Sequence, residues 1–236
     1  MYIVEGNIGA GKSTFLNLLA EHLPYVSVTL EPRQSWQSDS HGESILAYFY
    51  KNPHRWAYTM ETFAMACRVQ EHMKEQVHPS PYHIAERSIY SGHYCFALNG
   101  YETGLMTSME WDIYNQWFHF LVKNKCTTPQ GFIYLKTDPT TSLERTTKRG
   151  RSSETTIPLK YLEQIHDCHE RFLIKKENVL PELKETPVLV LECNEEFEAH
   201  PSIMKAHAKK VAAFIDEIER LHKKIIQQKH QISTVW

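Results

Sequence analysis

The 236-residue sequence lacks several features that would place it in a specialised class of proteins. Its five cysteines are odd in number and widely spaced, and no two form a Cys-x-x-Cys pair, so neither a disulfide framework nor a zinc site is indicated. No apolar stretch approaches the length that spans a membrane. Lys and Arg total 26 against 28 Asp and Glu, a net charge of −2, which argues against a general nucleic-acid binder. We therefore expect neither nucleic acid nor membrane among the partners.

The chain also lacks a Gly/Ser/Pro-rich tract that would mark a linker, which predicts a single domain over residues 1–236. The first apolar run begins at Tyr2, so we expect no signal or transit peptide in this form of the sequence. Unpaired cysteines suit a reducing compartment. We expect a cytoplasmic protein, with a mitochondrial location as the alternative.

Five short apolar runs have the pattern of strands that are buried on both faces of a sheet. They are Tyr2–Val4, Val26–Leu30, His83–Ala85, Phe132–Leu135 and Val188–Leu191. Helical patterns follow them at Lys12–Leu23, Pro53–Val77, Met109–Lys123, Pro158–Val179 and Lys205–Gln228. This alternation predicts an α/β fold, in which a parallel sheet is covered on both sides and ligands bind at the carboxyl ends of the strands.

The first strand leads into a sequence that fits G-x-x-x-x-G-K-[ST] at every fixed position. Its glycines let the backbone N–H groups point inward around an anion, and the following helix adds the positive end of its dipole. Lys12 would reach the β- and γ-phosphates, and the Ser13 hydroxyl would ligate Mg²⁺. The loop predicts a nucleoside triphosphate site rather than a glycine-rich turn that binds nothing. The predicted phosphate-binding residues are Gly6, Asn7, Ile8, Gly9, Ala10, Gly11, Lys12, Ser13 and Thr14.

Charged residues follow the second and third predicted strands. Glu31 is placed to take a proton from a hydroxyl group, although an acid before a proline can also be a simple exposed turn. Glu86 and Arg87 can order the waters of Mg²⁺ and neutralise a moving phosphoryl group, or can form a structural ion pair.

Basic residues concentrate after the fourth strand and a short helix. Arg145, Lys148, Arg149 and Arg151 surround Gly150 within seven residues. Cations are favoured at a helix C-terminus without any function. Their density around a glycine nevertheless predicts a mobile clamp on phosphates.

Together these stretches resemble the non-viral-type deoxyribonucleoside kinases. The resemblance rests on "EGNIGAGKST", "EPRQSW", "NPHRWAYTMETF", "ERSIYSGHYCF", "RTTKRGRSSETTIPLKYLEQIHDCHERFL" and "PVLVLE", and extends from residue 1 to about residue 195. It implies a P-loop kinase fold with three α/β/α layers, a five-stranded parallel sheet and an arginine-rich lid at about residues 149–156. It further implies ATP and Mg²⁺ as cofactors, a deoxynucleoside substrate and a homodimer.

The resemblance also implies roles for individual residues. Glu31 would be the general base on the 5′-hydroxyl, Arg87 would assist it, and Glu86 would support Mg²⁺. Glu31, Arg87 and Lys12 form the predicted catalytic set. The lid arginines are Arg145, Arg149 and Arg151. The residues implied around the nucleoside are Tyr50 and Glu154 at the 3′-hydroxyl, and Trp36, Met60 and Phe96 as walls of the base pocket.

The residues that would read the base depart from the family pattern. Glu61 replaces a glutamine, Gly92 replaces the aspartate of the deoxycytidine and purine kinases, and Met60 replaces a phenylalanine, whereas Arg68 is retained. Either Glu61 pairs with Arg68, or both read the base directly. An ionised carboxylate suits the N1–H and N2–H groups of guanine, which favours deoxyguanosine. The stretch "ERSIYSGHYCF", with its small Gly92, instead resembles the pyrimidine-using branch.

Two other functions and one assembly follow from the same residues. A nucleoside monophosphate kinase would need extra cations near the second strand, for which Arg33 is a candidate, and a non-catalytic P-loop subunit would need no base.

The predicted helix at 109–123 carries Trp111, Tyr114, Trp117 and Phe118 on more than one side. This suits a helix that contacts both the core and a partner subunit, or a buried helix of a monomer.

Overall fold

The computed structural model describes residues 1–31, 44–150, 157–197 and 199–233. Within these residues one parallel sheet has the strand order β2-β3-β1-β4-β5. The strands are β1 (Tyr2–Glu5), β2 (Ser27–Thr29), β3 (His83–Glu86), β4 (Gly131–Lys136) and β5 (Val188–Glu192). All five predicted strands and their parallel arrangement are therefore confirmed.

Ten α-helical segments are found in the described residues. They are α1 (Lys12–His22), α2 (Ile45–Lys51), α3 (Pro53–Glu75), α4 (Ile89–Ser91), α5 (Leu98–Glu102), α6 (Ser108–Lys125), α7 (Pro139–Arg149), α8 (Leu159–His169), α9 (Pro181–Lys184) and α10 (Pro201–Ser233). Two π-helical segments, Gly92–Ala97 and Glu170–Ile174, continue α4 and α8. None of the helices in these residues is long and apolar enough to cross a membrane.

The ends of several helices follow from local chemistry. Asn52 caps α3 by accepting a hydrogen bond from the Arg55 N–H, and Pro53 occupies the first helical position. Thr107 and Glu110 form a reciprocal capping box at the start of α6. The helix predicted over residues 158–179 ends earlier than expected. The helix α8 and the π-helical segment that continues it end at Ile174.

Each face of the sheet buries its own hydrophobic core. On one face, α1 and α10 pack through residues such as Phe15, Leu19 and Val211. On the other face, α3, α6 and α8 contribute to a core that includes Met65 and Phe118. The fold therefore has the three α/β/α layers that were predicted, and the loops that follow β1, β2 and β3 meet at the carboxyl edge of the sheet.

Candidate active site

The loop after β1 has the backbone shape that an anion site needs. Gly9 has φ +78° in this loop, and a Cβ atom there would collide with the Ser142 carbonyl oxygen and with Thr146 Oγ1, so only glycine fits. Lys12 is buried, and its Nζ donates to the carbonyl oxygens of Gly6 at 3.0 Å and Asn7 at 2.8 Å. The ammonium group is thus held against the loop, where it would meet phosphate oxygens.

The loop is also fastened to the opposite side of the cleft. Asn7 Oδ1 accepts from the N–H of Ile8 at 2.8 Å, while Asn7 Nδ2 donates to the Leu162 carbonyl in α8 at 2.8 Å. The residue is buried, so both of its polar ends are satisfied inside the protein. Asn7 therefore shapes the phosphate loop from within.

Ser13 and Glu86 provide the oxygen atoms that suit a magnesium ion. The Ser13 hydroxyl donates to Glu86, with distances of 2.9 and 3.0 Å to the two carboxylate oxygens. Mg²⁺ in nucleotide sites is held by one or two protein oxygens together with substrate phosphates. The described residues contain no cluster of three or more His, Cys, Asp or Glu that would hold a metal.

Glu31 lies between two arginines at the end of β2. Its Oε1 atom is 3.5 Å from Arg68 Nη2 and 3.6 Å from Arg87 Nε, and the three side chains are at most 11% exposed. Its N–H also donates to Glu86 Oε2 at 3.2 Å. These contacts orient the Glu31 carboxylate beside Ser13 and Glu86, and its role as a general base stays a prediction.

Arg87 is held in a conformation that is rare for a long side chain. Its φ is +66°, and its N–H donates to the Val4 carbonyl oxygen at 2.9 Å. Its Nη2 donates to Gly6 O at 3.3 Å, and its guanidinium carbon lies 4.7 Å from the centre of the Phe96 ring. Arg87 thus connects the phosphate loop with the predicted base, Glu31.

The predicted base-pocket residues lie close to these groups. Met60 and Glu61 are buried on α3, and the Arg68 guanidinium lies 5.7 Å from the Phe96 ring centre. A Cβ atom at Gly92 would lie 2.7 Å from Arg68 Nη1, so the absence of a side chain there makes room for the arginine. Gly92 therefore leaves room for the end of the Arg68 side chain.

Glu61 and Arg68 do not form the ion pair that was one of the two sequence-based alternatives. In the described part of the chain, Arg68 pairs with Glu31, and no ion pair joins it to Glu61. Burial raises the pKa of Glu61 to about 7, although the charges of Arg68 and Arg87 lower it. Glu61 is therefore a buried carboxyl group that changes charge near neutral pH.

Tyr161 is a residue of this pocket that the sequence did not identify. Burial raises its pKa, and so do Tyr50 and Glu61, whereas Arg87 lowers it, so its phenol lies among the predicted nucleoside-binding residues. It belongs to the quoted stretch "IPLKYLEQIH", in which no position had been assigned a role. Tyr50, which was predicted to contact the 3′-hydroxyl of the sugar together with Glu154, packs against the core of this face beside Phe49.

Part of the predicted lid can be located. Arg145 Nη1 donates to the carbonyl of Cys193 at 2.8 Å, and Nη2 donates to those of Asn194 and Glu195 at 3.1 and 2.8 Å. Arg145 thus fixes the loop after β5, and its part in a phosphate clamp stays a prediction. Arg149 is exposed at the end of α7. The predicted residues Trp36, Arg151 and Glu154, and the candidate Arg33, lie outside the described residues.

Comparisons with known proteins show the family to which the chain belongs. The sequence model of the family described as "Deoxynucleoside kinase" matches residues 2–216. The chain is 38% identical over 218 residues to deoxycytidine kinase 2 of Gallus gallus, covering 83% of this chain and 82% of that protein. It is 36% identical over 233 residues to the mitochondrial deoxyguanosine kinase of Xenopus laevis, covering 90% and 88%. It is 35% identical over 195 residues to the mitochondrial thymidine kinase 2 of Homo sapiens, covering 83% and 71%.

Proposed function

Because this chain belongs to the deoxynucleoside kinase family, we propose that it transfers the γ-phosphoryl group of ATP to the 5′-hydroxyl of a deoxynucleoside in the presence of Mg²⁺. The observation that carries this proposal is one connected set of contacts. Ser13 bonds Glu86, Glu86 bonds the Glu31 backbone, and Arg87 links Glu31 to Gly6 of the phosphate loop. The residues proposed for the phosphate site, the metal site and the base are thus joined by hydrogen bonds and one ion pair of 3.6 Å.

The loop after β1 would bind the phosphates of the donor nucleotide. Its N–H groups and Lys12 would bind the β- and γ-phosphates, and Ser13 and Glu86 would hold the metal. Mg²⁺ supplies neutralisation of the phosphate charge when it is bound. Lys12 contributes a fixed positive charge that requires no rearrangement of solvent during the transfer.

The acceptor side falls to Glu31 and Arg87. Glu31 would remove the proton of the 5′-hydroxyl as the oxygen attacks phosphorus, so the bond between the γ-phosphorus and the bridging oxygen breaks and ADP leaves. Arg87 lies 3.6 Å from Glu31 and would stabilise the charge on the phosphoryl group. Phosphoryl transfer depends mainly on such positioning and charge neutralisation, which both residues provide.

The base preference that we propose is for deoxyguanosine. Glu61 is buried near Arg68 without an ion pair to it, so its carboxylate is available to accept the two parallel N–H bonds that guanine offers. Arg68 would donate to O6. The alternative is a pyrimidine substrate, because the stretch that carries the small Gly92 resembles the pyrimidine-using branch and the relatives include proteins named for deoxycytidine and thymidine as well as deoxyguanosine.

The assembly that we propose is a homodimer through α6. This helix buries Tyr114 and Phe118, yet it exposes Met109, Trp117 and Phe120 by 67%, 51% and 55%. Phe63 of the adjacent α3 is 41% exposed as well. Clustered exposed aromatic side chains are typical of protein–protein interfaces.

The decisive experiment is a comparison of acceptors with the purified protein. We expect phosphorylation of deoxynucleosides and not of their 5′-monophosphates, with kcat/KM highest for deoxyguanosine. Transfer to a monophosphate would contradict the proposed acceptor, and a preference for thymidine would contradict the proposed base alone. Sedimentation of the protein measures the dimer separately.

A further inference from the structure

Glu5, the last residue of β1, is a fully buried carboxyl group outside the proposed catalytic set. Its Oε1 atom accepts a hydrogen bond of 2.5 Å from Ser88 Oγ, whereas its Oε2 atom is buried without a partner among the described residues. Burial raises the pKa of Glu5, and Arg87 is the neighbouring charge that lowers it most. A buried carboxylate is costly unless an opposite charge offsets it, so Glu5 and Arg87 depend on one another.

The hydrogen bond to Glu5 fixes the backbone that carries Arg87. Arg87 has a φ of +66°, and a positive φ at a non-glycine residue is strained and persists only where surrounding contacts hold it. On one side of the turn, the Arg87 N–H is bonded to Val4. On the other side, Ser88 Oγ accepts from two N–H groups at the start of α4, at 3.1 and 3.2 Å, while its own proton goes to Glu5. Glu5 therefore holds this turn in place through its hydrogen bond with Ser88.

The guanidinium of Arg87 has an unmet hydrogen-bonding capacity in the same region. Its Nε lies near Glu31 and its Nη2 donates to Gly6, but Nη1 is buried without a partner in the described part of the chain. Buried polar groups in folded proteins are nearly always hydrogen-bonded, directly or through ordered water. A buried donor on Arg87 and a buried acceptor on Glu5 are chemically complementary.

His169 adds a second acceptor to this region. Its ring stacks on Tyr134 with centroids 5.9 Å apart, and Tyr134 is the register partner of Glu5 on β4. His169 Nδ1 lies 2.7 Å from the Ile165 carbonyl oxygen, which can only accept, so Nδ1 carries the proton and Nε2 is an acceptor. Burial lowers the pKa of His169 to about 3, so the ring is neutral, and Nε2 is buried without a partner in the described residues.

We propose that Glu5 is a positioning residue for Arg87. Through its hydrogen bond with Ser88, Glu5 anchors the turn that carries Arg87. Its negative charge offsets the charge of the Arg87 guanidinium. Together with the acceptor on the neutral ring of His169, this charge holds the guanidinium toward the phosphoryl group. This inference rests on the proposed role of Arg87 in phosphoryl transfer. Glu5 acts only through Arg87.

The test is a double-mutant cycle in the full-length protein. Glu5→Gln preserves the size of the side chain and an acceptor for Ser88 but removes the charge, and Arg87→Gln removes the guanidinium. We expect Glu5→Gln to lower kcat about tenfold, with both KM values changed less than about threefold. In the Arg87→Gln background the same change should alter kcat less than about twofold, because the group that Glu5 positions is gone.

Glu192→Gln, which changes an exposed carboxylate at the end of β5, is the matched control and should leave kcat unchanged. An equal loss in both backgrounds indicates a merely structural effect and overturns the inference. Native kcat in Glu5→Gln beside an impaired Arg87→Gln overturns it as well, whereas native kcat in Arg87→Gln overturns the proposed role of Arg87 instead. If thermal unfolding shows that Glu5→Gln does not fold, Ser88→Ala replaces it in the cycle, and native kcat in that variant refutes the anchoring.

Discussion

The hydroxyl of Ser13 donates to both carboxylate oxygens of Glu86, which joins the start of α1 to the end of β3 across 73 residues of sequence. Glu86 also accepts from the N–H of Glu31. A metal ion held by this hydroxyl and carboxylate would therefore be coupled to the position of the proposed base. Loss of either oxygen should affect binding of the metal–nucleotide complex and orientation of the acceptor together.

Replacement of Lys12 by alanine tests the phosphate site. Lys12 contacts loop carbonyls rather than the hydrophobic core, so we expect Lys12→Ala to abolish measurable phosphoryl transfer while the protein stays folded. Turnover with ATP and circular dichroism together check this outcome. A folded variant that retains near-native turnover would show that the loop has no catalytic part.

Replacement of Glu31 by glutamine tests the base. The change keeps the shape of the side chain but removes the proton acceptor, and general base catalysis is worth about 10²–10⁴ in rate. We expect kcat to fall within that range and the KM for the deoxynucleoside to change little. Rapid-quench measurement of the chemical step is the readout, and an unchanged step would assign Glu31 to orientation of Glu86 only.

The charge of Glu61 should make base preference depend on pH. With a pKa of about 7, Glu61 is protonated at lower pH, where it offers one donor and one acceptor as glutamine does, and ionised at higher pH, where it only accepts. We expect the ratio of kcat/KM for deoxyguanosine over thymidine to rise as the pH increases from about 6 to about 8. Glu61→Gln should give a flat ratio, and Glu71→Gln on the same helix should behave as the native protein does. Parallel profiles for the native protein and Glu61→Gln would remove Glu61 as a reader of the base.

The space at Gly92 should control discrimination between pyrimidines. A Cβ atom there lies 2.7 Å from Arg68 Nη1, so Gly92→Asp should displace the flexible arginine and draw it away from its ion pair with Glu31. We expect thymidine to lose about tenfold in kcat/KM relative to deoxycytidine, because Arg68, once displaced from its place beside position 92, would occupy room that a thymine methyl needs. Gly92→Ala, which adds volume without charge, should show a smaller effect in the same direction. An unchanged ratio in both variants would indicate that neither pyrimidine approaches this position.

Buried histidines should destabilise the protein in acid. Burial lowers the pKa of His93 to about 3, with a smaller contribution from His119, and the ring stacks on Phe118 with centroids 3.8 Å apart. Because the unfolded state binds the proton more readily, the contribution of His93 is present above about pH 6.5 and is lost as the pH falls. The free energy of unfolding should then decrease by about 1.4 kcal/mol per pH unit for this residue. Urea unfolding at several pH values should show a shallower slope for His93→Phe, and equal slopes would place the acid sensitivity elsewhere.

Much of the fold could be predicted because its signals are local. Apolar runs predicted all five strands, and the spacing of the glycines and Lys12 predicted the phosphate loop without any information on tertiary contacts. The π-helical segment at Gly92–Ala97 was not predicted, because its extra residue per turn reflects packing around the site rather than local propensity.

The ion pairs of the site could not be predicted from spacing. Glu61 and Arg68 lie on one helix and were natural candidates, yet Arg68 pairs with Glu31 from another element. The choice depends on how α3 packs over the end of β2, which is a tertiary property. Tyr161 was missed for the same reason, since nothing local distinguishes it from the other residues of α8.

The close approach of Gly9 to Ser142 and Thr146 places the phosphate loop in direct contact with α7, the helix that leads toward the predicted lid. There is no space for a Cβ atom between the two, so a larger side chain at position 146 would push on the loop without touching a nucleotide. Substitutions introduced to redesign the lid should therefore be screened for altered ATP affinity even when they lie a full helix away from it. For protein engineering, the phosphate loop and α7 should be treated as one rigid unit.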